Sequence, residues 1–167
     1  YNSLTGGANV VVAGDVVCVR GGQYSDEDII PQSSGITDNP IVFKNYNEER
    51  VYLRGPWTVG GGGSSSHAFY FSNRNNIIFD GFEISNYGSC FYPYTNVSFI
   101  TLRNSKIYDC IKGVNVRGDS ITSSHDIIIE NVDVKRISDP LSNGNLGYGG
   151  VELRYVYNAL IKNVLSK

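Results

Sequence analysis

A right-handed parallel β-helix is the fold this sequence predicts, and three observations predict it. A short motif of two alternating runs recurs along the chain, a single Asn or Gly stands between the two runs of each copy, and a third strand-like run precedes the copies. Alternation of apolar and polar residues means strands with one face buried. An Asn or Gly between two such strands tolerates a left-handed backbone, so the chain can bend there without losing its pairing. Three strands per turn, stacked in register, make an all-β solenoid of about five to six coils, with corner insertions in the longer repeats.

The elements follow in order. Residues 13–24 read as a Gly14-Asp15 turn, a strand from Val16 and a Gly22-Gln23-Tyr24 run. Ile29, Ile30 and Pro31 are the first member of the third-strand series, and residues 41–45 are a short, weak copy of the motif. Fuller copies occupy 77–84, 100–107, 127–134 and 159–166. Stacking them gives inward columns Ile41/Ile77/Ile100/Ile127/Ala159 and Phe43/Phe79/Leu102/Ile129/Ile161, then Phe82/Ser105/Val132/Val164 past the bend. The bend column is Asn45/Gly81/Asn104/Asn131/Asn163, whose stacked amides can bond to one another. Third strands precede the copies at 69–71, 91–93, 114–116 and 151–153. A β-sandwich would show Asn-Gly hairpin turns between adjacent strands. Asn143-Gly144 is the one such pair, and it lies in a long polar loop.

Residues 1–167 are expected to form one β-helix domain, or the N-terminal part of a longer one. The C-terminal end is expected to be uncapped, because Lys167 follows the last copy at once. A bare coil exposes unpaired strand edges and an apolar cross-section. Such an end calls for further coils or for end-to-end self-association, which would generate filaments.

Composition narrows the function. A net charge of −2 argues against a general nucleic-acid binder. No apolar run reaches transmembrane length, so membrane insertion is not expected. Nineteen Gly, twelve Tyr and 18% charged residues describe a turn-rich β protein with a neutral polar surface, a profile that suits secretion. Cys18, Cys90 and Cys110 fit no metal spacing. Cys90 and Cys110 fall near one corner of neighbouring coils and can pair, but buried free thiols are the favoured reading. Asn96-Val97-Ser98 is a glycan acceptor triplet. The run Gly60 to Ser66 lacks the Lys of a phosphate loop and reads as a flexible insertion, with Trp57 folded beneath it or exposed for a ligand. His67 and His125 lie apart in the repeat register, so a shared metal or dyad is not expected.

The opening, with Gly14-Asp15, Gly22-Gln23-Tyr24, Ser34-Gly35 and Asn39-Pro40-Ile41, resembles that of secreted pectin-lyase-like β-helix proteins. Among these it is similar to polysaccharide lyases of the chondroitinase and alginate lyase type, over residues 13–85. The resemblance implies a groove along the strand that precedes each paired repeat, and an acidic polysaccharide as partner. It also implies a uronate carboxylate neutralised by Arg or by calcium, and a Lys or Arg base.

On that face the outward residues are Tyr70, Tyr92, Asn115 and Glu152, followed by Ser72, Tyr94, Arg117 and Arg154. Tyr rings pack on sugar faces, and Arg pairs a carboxylate in bidentate fashion. Arg117, Glu152 and Arg154 are the candidate catalytic residues. Tyr70, Tyr92, Asn115 and Asp119 are the candidate substrate contacts, and Lys112 is a further candidate base. The plainer reading of each is a solvated face with cross-strand charge pairs. A glycosidase would need two carboxylates about 5–10 Å apart, for which Glu152 with Asp119 or Asp139 are the available pairs. The Asn-Thr-Asp and Gly-His-Gly signatures of polygalacturonase-type β-helices are absent, as is the dense Asp cluster of strongly calcium-dependent β-helix lyases. A structural subunit and a glycan-binding stalk stand as the alternatives to an enzyme.

Overall fold

The computed structural model describes residues 3–58, 65–119, 124–137 and 149–166. Asp139, the Asn143-Gly144 pair and Gly60 to Ser64 lie outside the described residues. Among the described residues a short helix, α1 (Leu4–Ala8), is followed by thirteen strands. They are β1 (Val16–Val19), β2 (Gly22–Ser25), β3 (Ile41–Asn45), β4 (Val51–Arg54), β5 (His67–Phe71), β6 (Asn75–Asp80), β7 (Phe82–Ser85), β8 (Ser89–Pro93), β9 (Ser98–Tyr108), β10 (Lys112–Arg117), β11 (Ser124–Lys135), β12 (Val151–Arg154) and β13 (Val156–Ser166).

The strands build three faces. A nine-stranded sheet runs β1-β3-β6-β9-β7-β4-β2, with β11 added to β9 and β13 to β11. Its two arms meet along the line of bends. In β9, β11 and β13 one long strand passes through the bend and serves both arms, whereas β6 and β7 are its separated equivalents. The third face is a four-stranded sheet in the order β12-β10-β8-β5. The ladders between named strands are parallel. This is the parallel β-helix that the repeat predicts.

The registers are those expected from the columns. Ile41 pairs Ile77, Ile77 pairs Ile100, Ile100 pairs Ile127 and Ile127 pairs Ala159. Inside, Phe43 stacks on Phe79 with ring centroids 5.4 Å apart. Phe69, Phe91 and Phe71 surround Phe79 at 4.6, 5.3 and 5.6 Å. In the last coil the same column is open, and Ile161 is 49% exposed.

The bend works as the physics requires. Gly81, Asn104, Asn131 and Asn163 have φ of +84°, +50°, +53° and +52°. Asn163 Nδ2 donates to Asn131 Oδ1 at 3.0 Å, and Asn131 Nδ2 to Asn104 Oδ1 at 3.2 Å. Asn104 Nδ2 then donates to Asp80 Oδ1 at 2.8 Å, because Gly81 offers no side chain. Glycine is required there for space as well, since a Cβ would lie 2.4 Å from Asn45 Oδ1. Asn45 itself departs from the expected column. The left-handed residues of that coil are Asn47 and Glu48, so its turn is longer and Asn45 still belongs to the strand.

Three further expectations are corrected. Cys90 and Cys110 are joined as a disulfide instead of packing as free thiols. Cys18 is free but exposed, not buried. Asn115, expected to face outward with Tyr70 and Tyr92, is 0% exposed. Trp57 resolves to the buried of its two readings.

On the outer side of the second arm, Arg50 Nε and Nη2 donate to Glu83 at 2.6 and 2.7 Å, and Tyr108 OH adds a bond of 2.7 Å. The guanidinium foremost, against the opposing effect of burial, pulls the Glu83 carboxyl down to about 2. A depressed carboxylate stabilises the fold above its unfolded pKa and is lost as pH falls through the folded one. The Glu83 contribution is therefore complete above about pH 4.5 and fades between there and about pH 2. Urea midpoints measured across that window should fall more steeply for the wild type than for Glu83→Gln; equal slopes would show that the pair contributes nothing.

Candidate functional site

The outward side of the four-stranded sheet carries the candidate residues. Successive strands sit about 4.8 Å apart. Tyr70 and Tyr92 are in register, and their rings lie 5.7 Å apart. The Tyr94 ring follows at 5.6 Å from Tyr92. Buried neighbours on the same strands, Phe69, Phe71 and Phe91, anchor the backbone so that the alternate side chains must point out. The result is a strip of half-buried phenols.

The strip ends in arginines. Arg117 bridges to Tyr94 on one side and pairs with Arg154 on the other. Arg154 Nη2 donates to Glu152 Oε1 at 2.9 Å. That exposed pair is a charge pair on a solvated face, as the plainer reading anticipates, but it lies within β12 and not across strands, and surface pairs of this kind are worth at most about 1 kcal/mol. Arg117 is different: its Nε is buried and has no hydrogen-bond partner among the described residues. Both amide atoms of Asn115, two residues earlier on the same strand, are likewise buried and unpartnered, as is Thr95 Oγ1 beside Tyr94. Each such group costs about 1–3 kcal/mol unless something bonds it. Asp119 lies just past β10, half-buried.

The other flank holds Lys112, the further candidate base, together with His67, whose place there was not foreseen. His67, at the start of β5, stacks on Tyr70 at 5.0 Å and on Tyr92 at 5.4 Å. Ser89 pairs with both His67 and Lys112, so these two stand in one row across three strands. Burial lowers the pKa of His67; Asp28 acts in the opposite sense and Lys112 adds to the lowering. Burial raises the pKa of Asp28. A sequence signal existed. His67 and Lys112 each stand two residues before an aligned core residue, Phe69 and Val114, and so share a register position.

Among the described residues no three of His, Cys, Asp and Glu are grouped to hold a metal ion. Glu152, already bonded to Arg154, and Asp119 are the carboxylates on this face, and the other groups are phenols, amides and guanidinium groups, a poor set for calcium, which takes several carboxylate and carbonyl oxygens. No step is therefore assigned to a metal. An apolar groove of about 550 Å³ lies elsewhere, on the first arm, lined by Ile78, Phe99, Thr101, Ile128 and Leu160 among others. No Lys or Arg lines it, so it does not suit an acidic chain.

The same architecture recurs in solved structures. A pectate lyase, Pel9A, superposes with a TM-score of 0.70 at 20% identity, over 86% of this chain and 36% of that one. The fold is the pectin-lyase-like β-helix. An alginate lyase from Paenibacillus sp. str. FPU-7 gives 0.69 at 15% identity, over 98% and 63% of the two chains. A rhamnogalacturonan lyase gives 0.62 at 16%, over 94% and 51%. The chain thus spans less than two thirds of each of these β-helix lyases, and likeness at this identity carries the fold alone. No family model and no curated protein matches the sequence.

Proposed function

We propose that this pectin-lyase-like chain is a secreted, carbohydrate-active protein that cleaves an acidic polysaccharide by β-elimination. The observation that carries the reading is the strip of Tyr70, Tyr92 and Tyr94, bounded at one edge by Arg117 with its unpartnered Nε. The rings offer flat apolar faces to sugars, and Arg117 offers a fixed positive charge to a uronate carboxylate. That pairing seats the polymer on the face, and a second cation beside the reacting uronate would stabilise the carbanion that forms when the neighbouring C–H is deprotonated. The three similar structures are lyases of pectate, alginate and rhamnogalacturonan, which supports the reaction class and an acidic substrate. The Cys90–Cys110 disulfide supports an oxidising, extracellular setting. No helix among the described residues is long and apolar enough to cross a membrane.

Arg117 holds the carboxylate in this reading. Glu152 fixes Arg154 beside it, Asp119 lies at the same end of the track, and Asn115 is buried two residues before Arg117. The test is the combined variant Arg117→Ala, Glu152→Ala and Arg154→Ala, assayed on pectate, alginate and rhamnogalacturonan. The expected result is a fall of about a hundredfold or more in kcat/KM with an unchanged circular dichroism spectrum. Unchanged turnover in the triple variant would remove these residues from the site. Sugar binding without cleavage in the wild type would make the chain a glycan-binding module instead.

A further inference from the structure

We propose that His67 is the proton acceptor of this track, with Lys112 placed to hold the uronate carboxylate that faces it. The inference rests on the reading of the four-stranded face as a lyase site, and it assigns the base that the arginine edge lacks.

The imidazole is packed against the faces of Tyr70 and Tyr92, at 5.0 and 5.4 Å, so a sugar stacked on either phenol lies beside it. Lys112 stands in the same row, two strands away through Ser89, roughly 10 Å between backbones at the usual strand spacing. A pyranose ring fits between them. Arg117 is five residues along β10 from Lys112, roughly 16 Å at the rise of a strand, too far for one sugar to reach both. A chain running along β10 can therefore present one carboxylate to the arginine edge and another to the lysine edge.

Protonation state follows from the surroundings. A base must be unprotonated when substrate arrives. A guanidinium stays charged at any working pH. The groups facing His67 are Asp28 from the segment between β2 and β3, Lys112 from β10, Tyr70 on its own strand and Tyr92 from β8. Burial foremost, with Lys112, outweighs Asp28 and keeps the ring's pKa below its ordinary value, so the ring is neutral near pH 7.

In the step itself, an imidazole nitrogen takes the proton from C5 of the uronate and that C–H electron pair forms the C4=C5 double bond. The C4–O bond breaks, and the leaving oxygen takes a proton from water in the open track. The imidazolium returns its proton to solvent, so no oxidant, reductant or further reactant is consumed.

The test compares wild type with His67→Asn, which keeps a flat polar group against the tyrosines, and with His67→Ala assayed with and without added imidazole. The substrate is whichever of pectate, alginate or rhamnogalacturonan the wild type cleaves. The expected results are a fall of about a hundredfold or more in kcat with KM little changed, loss of the acidic limb of the pH–rate profile, and partial rescue of His67→Ala by imidazole. A His67→Asn variant that keeps the wild-type kcat and acidic limb would overturn this assignment and leave the lyase reading standing. A wild type that turns over none of the polymers would overturn both.

Discussion

Phe79→Ala will lower the unfolding free energy by about 3–5 kcal/mol, the usual cost of removing a buried aromatic ring. The reason lies in what the ring touches. Phe79 is fully buried and stacks on Phe43 of the preceding coil. It also meets Phe69, Phe91 and Phe71 from the four-stranded face. It therefore ties the first arm of the nine-stranded sheet to the face that carries the candidate site. In a solenoid each repeat contacts only its neighbours, so a hole at this point weakens two interfaces together. Urea denaturation will read the loss. Phe79→Leu, which restores most of the volume, should cost less than about 1.5 kcal/mol. A Phe79→Ala midpoint indistinguishable from wild type would mean that the aromatic stack is not the core.

Gly113→Ala should be nearly as damaging, and for a different reason. A Cβ at Gly113 would lie 2.4 Å from the carbonyl oxygen of Gly150 and 2.9 Å from Val134 Cγ1. That carbonyl accepts the amide of Val114 at 2.9 Å. The added methyl must push the carbonyl away, which breaks the bond that starts the β10–β12 ladder and displaces Glu152 and Arg154. Overpacking together with one lost buried bond sets the cost at about 3 kcal/mol. Gly7→Ala is the contrast: its Cβ would meet Val17 at an ordinary 3.6 Å and should be harmless. Thermal unfolding of both variants will separate the cases. Equal melting temperatures for Gly113→Ala and wild type would show that β10 and β12 do not approach so closely.

The columns from Ile77 to Ala159, and the third-strand runs from Phe69 to Leu153, were legible in the sequence because a two-residue period leaves only one register that buries Ile, Phe and Val together. The bend was legible because Asn and Gly are the residues that bear a left-handed backbone cheaply. Asn45 misled for the same reason: it matches the column in type, but the extra residues after it move the turn to Asn47 and Glu48. Helix α1 was hidden because Leu4–Ala8 contains two glycines, which oppose a helix; its start rests on the Ser3 side chain, which accepts from Gly6 N at 3.0 Å. The Cys90–Cys110 bond depends on how two corner segments fold back, which spacing alone does not encode.

For the candidate site, alternation placed Tyr70, Tyr92 and Glu152 on the outward side but could not say what covers an outward residue. Asn115 has the right parity and is nonetheless buried. His67 escaped because its strand begins before the apolar triplet that marked it. Its place beside Tyr70 and Tyr92 comes from how the ring leans, a matter of packing and not of pattern.

The central claim is that an acidic polysaccharide is cleaved by elimination. The most direct test is mass spectrometry of the oligosaccharides released when the chain is incubated with pectate, alginate and rhamnogalacturonan. The account predicts products whose new non-reducing ends are unsaturated, each lighter by one water than a hydrolysis product and absorbing in the ultraviolet. Saturated products would contradict it and identify a hydrolase; polymers left intact would contradict it and leave a binding or structural protein on the lyase fold.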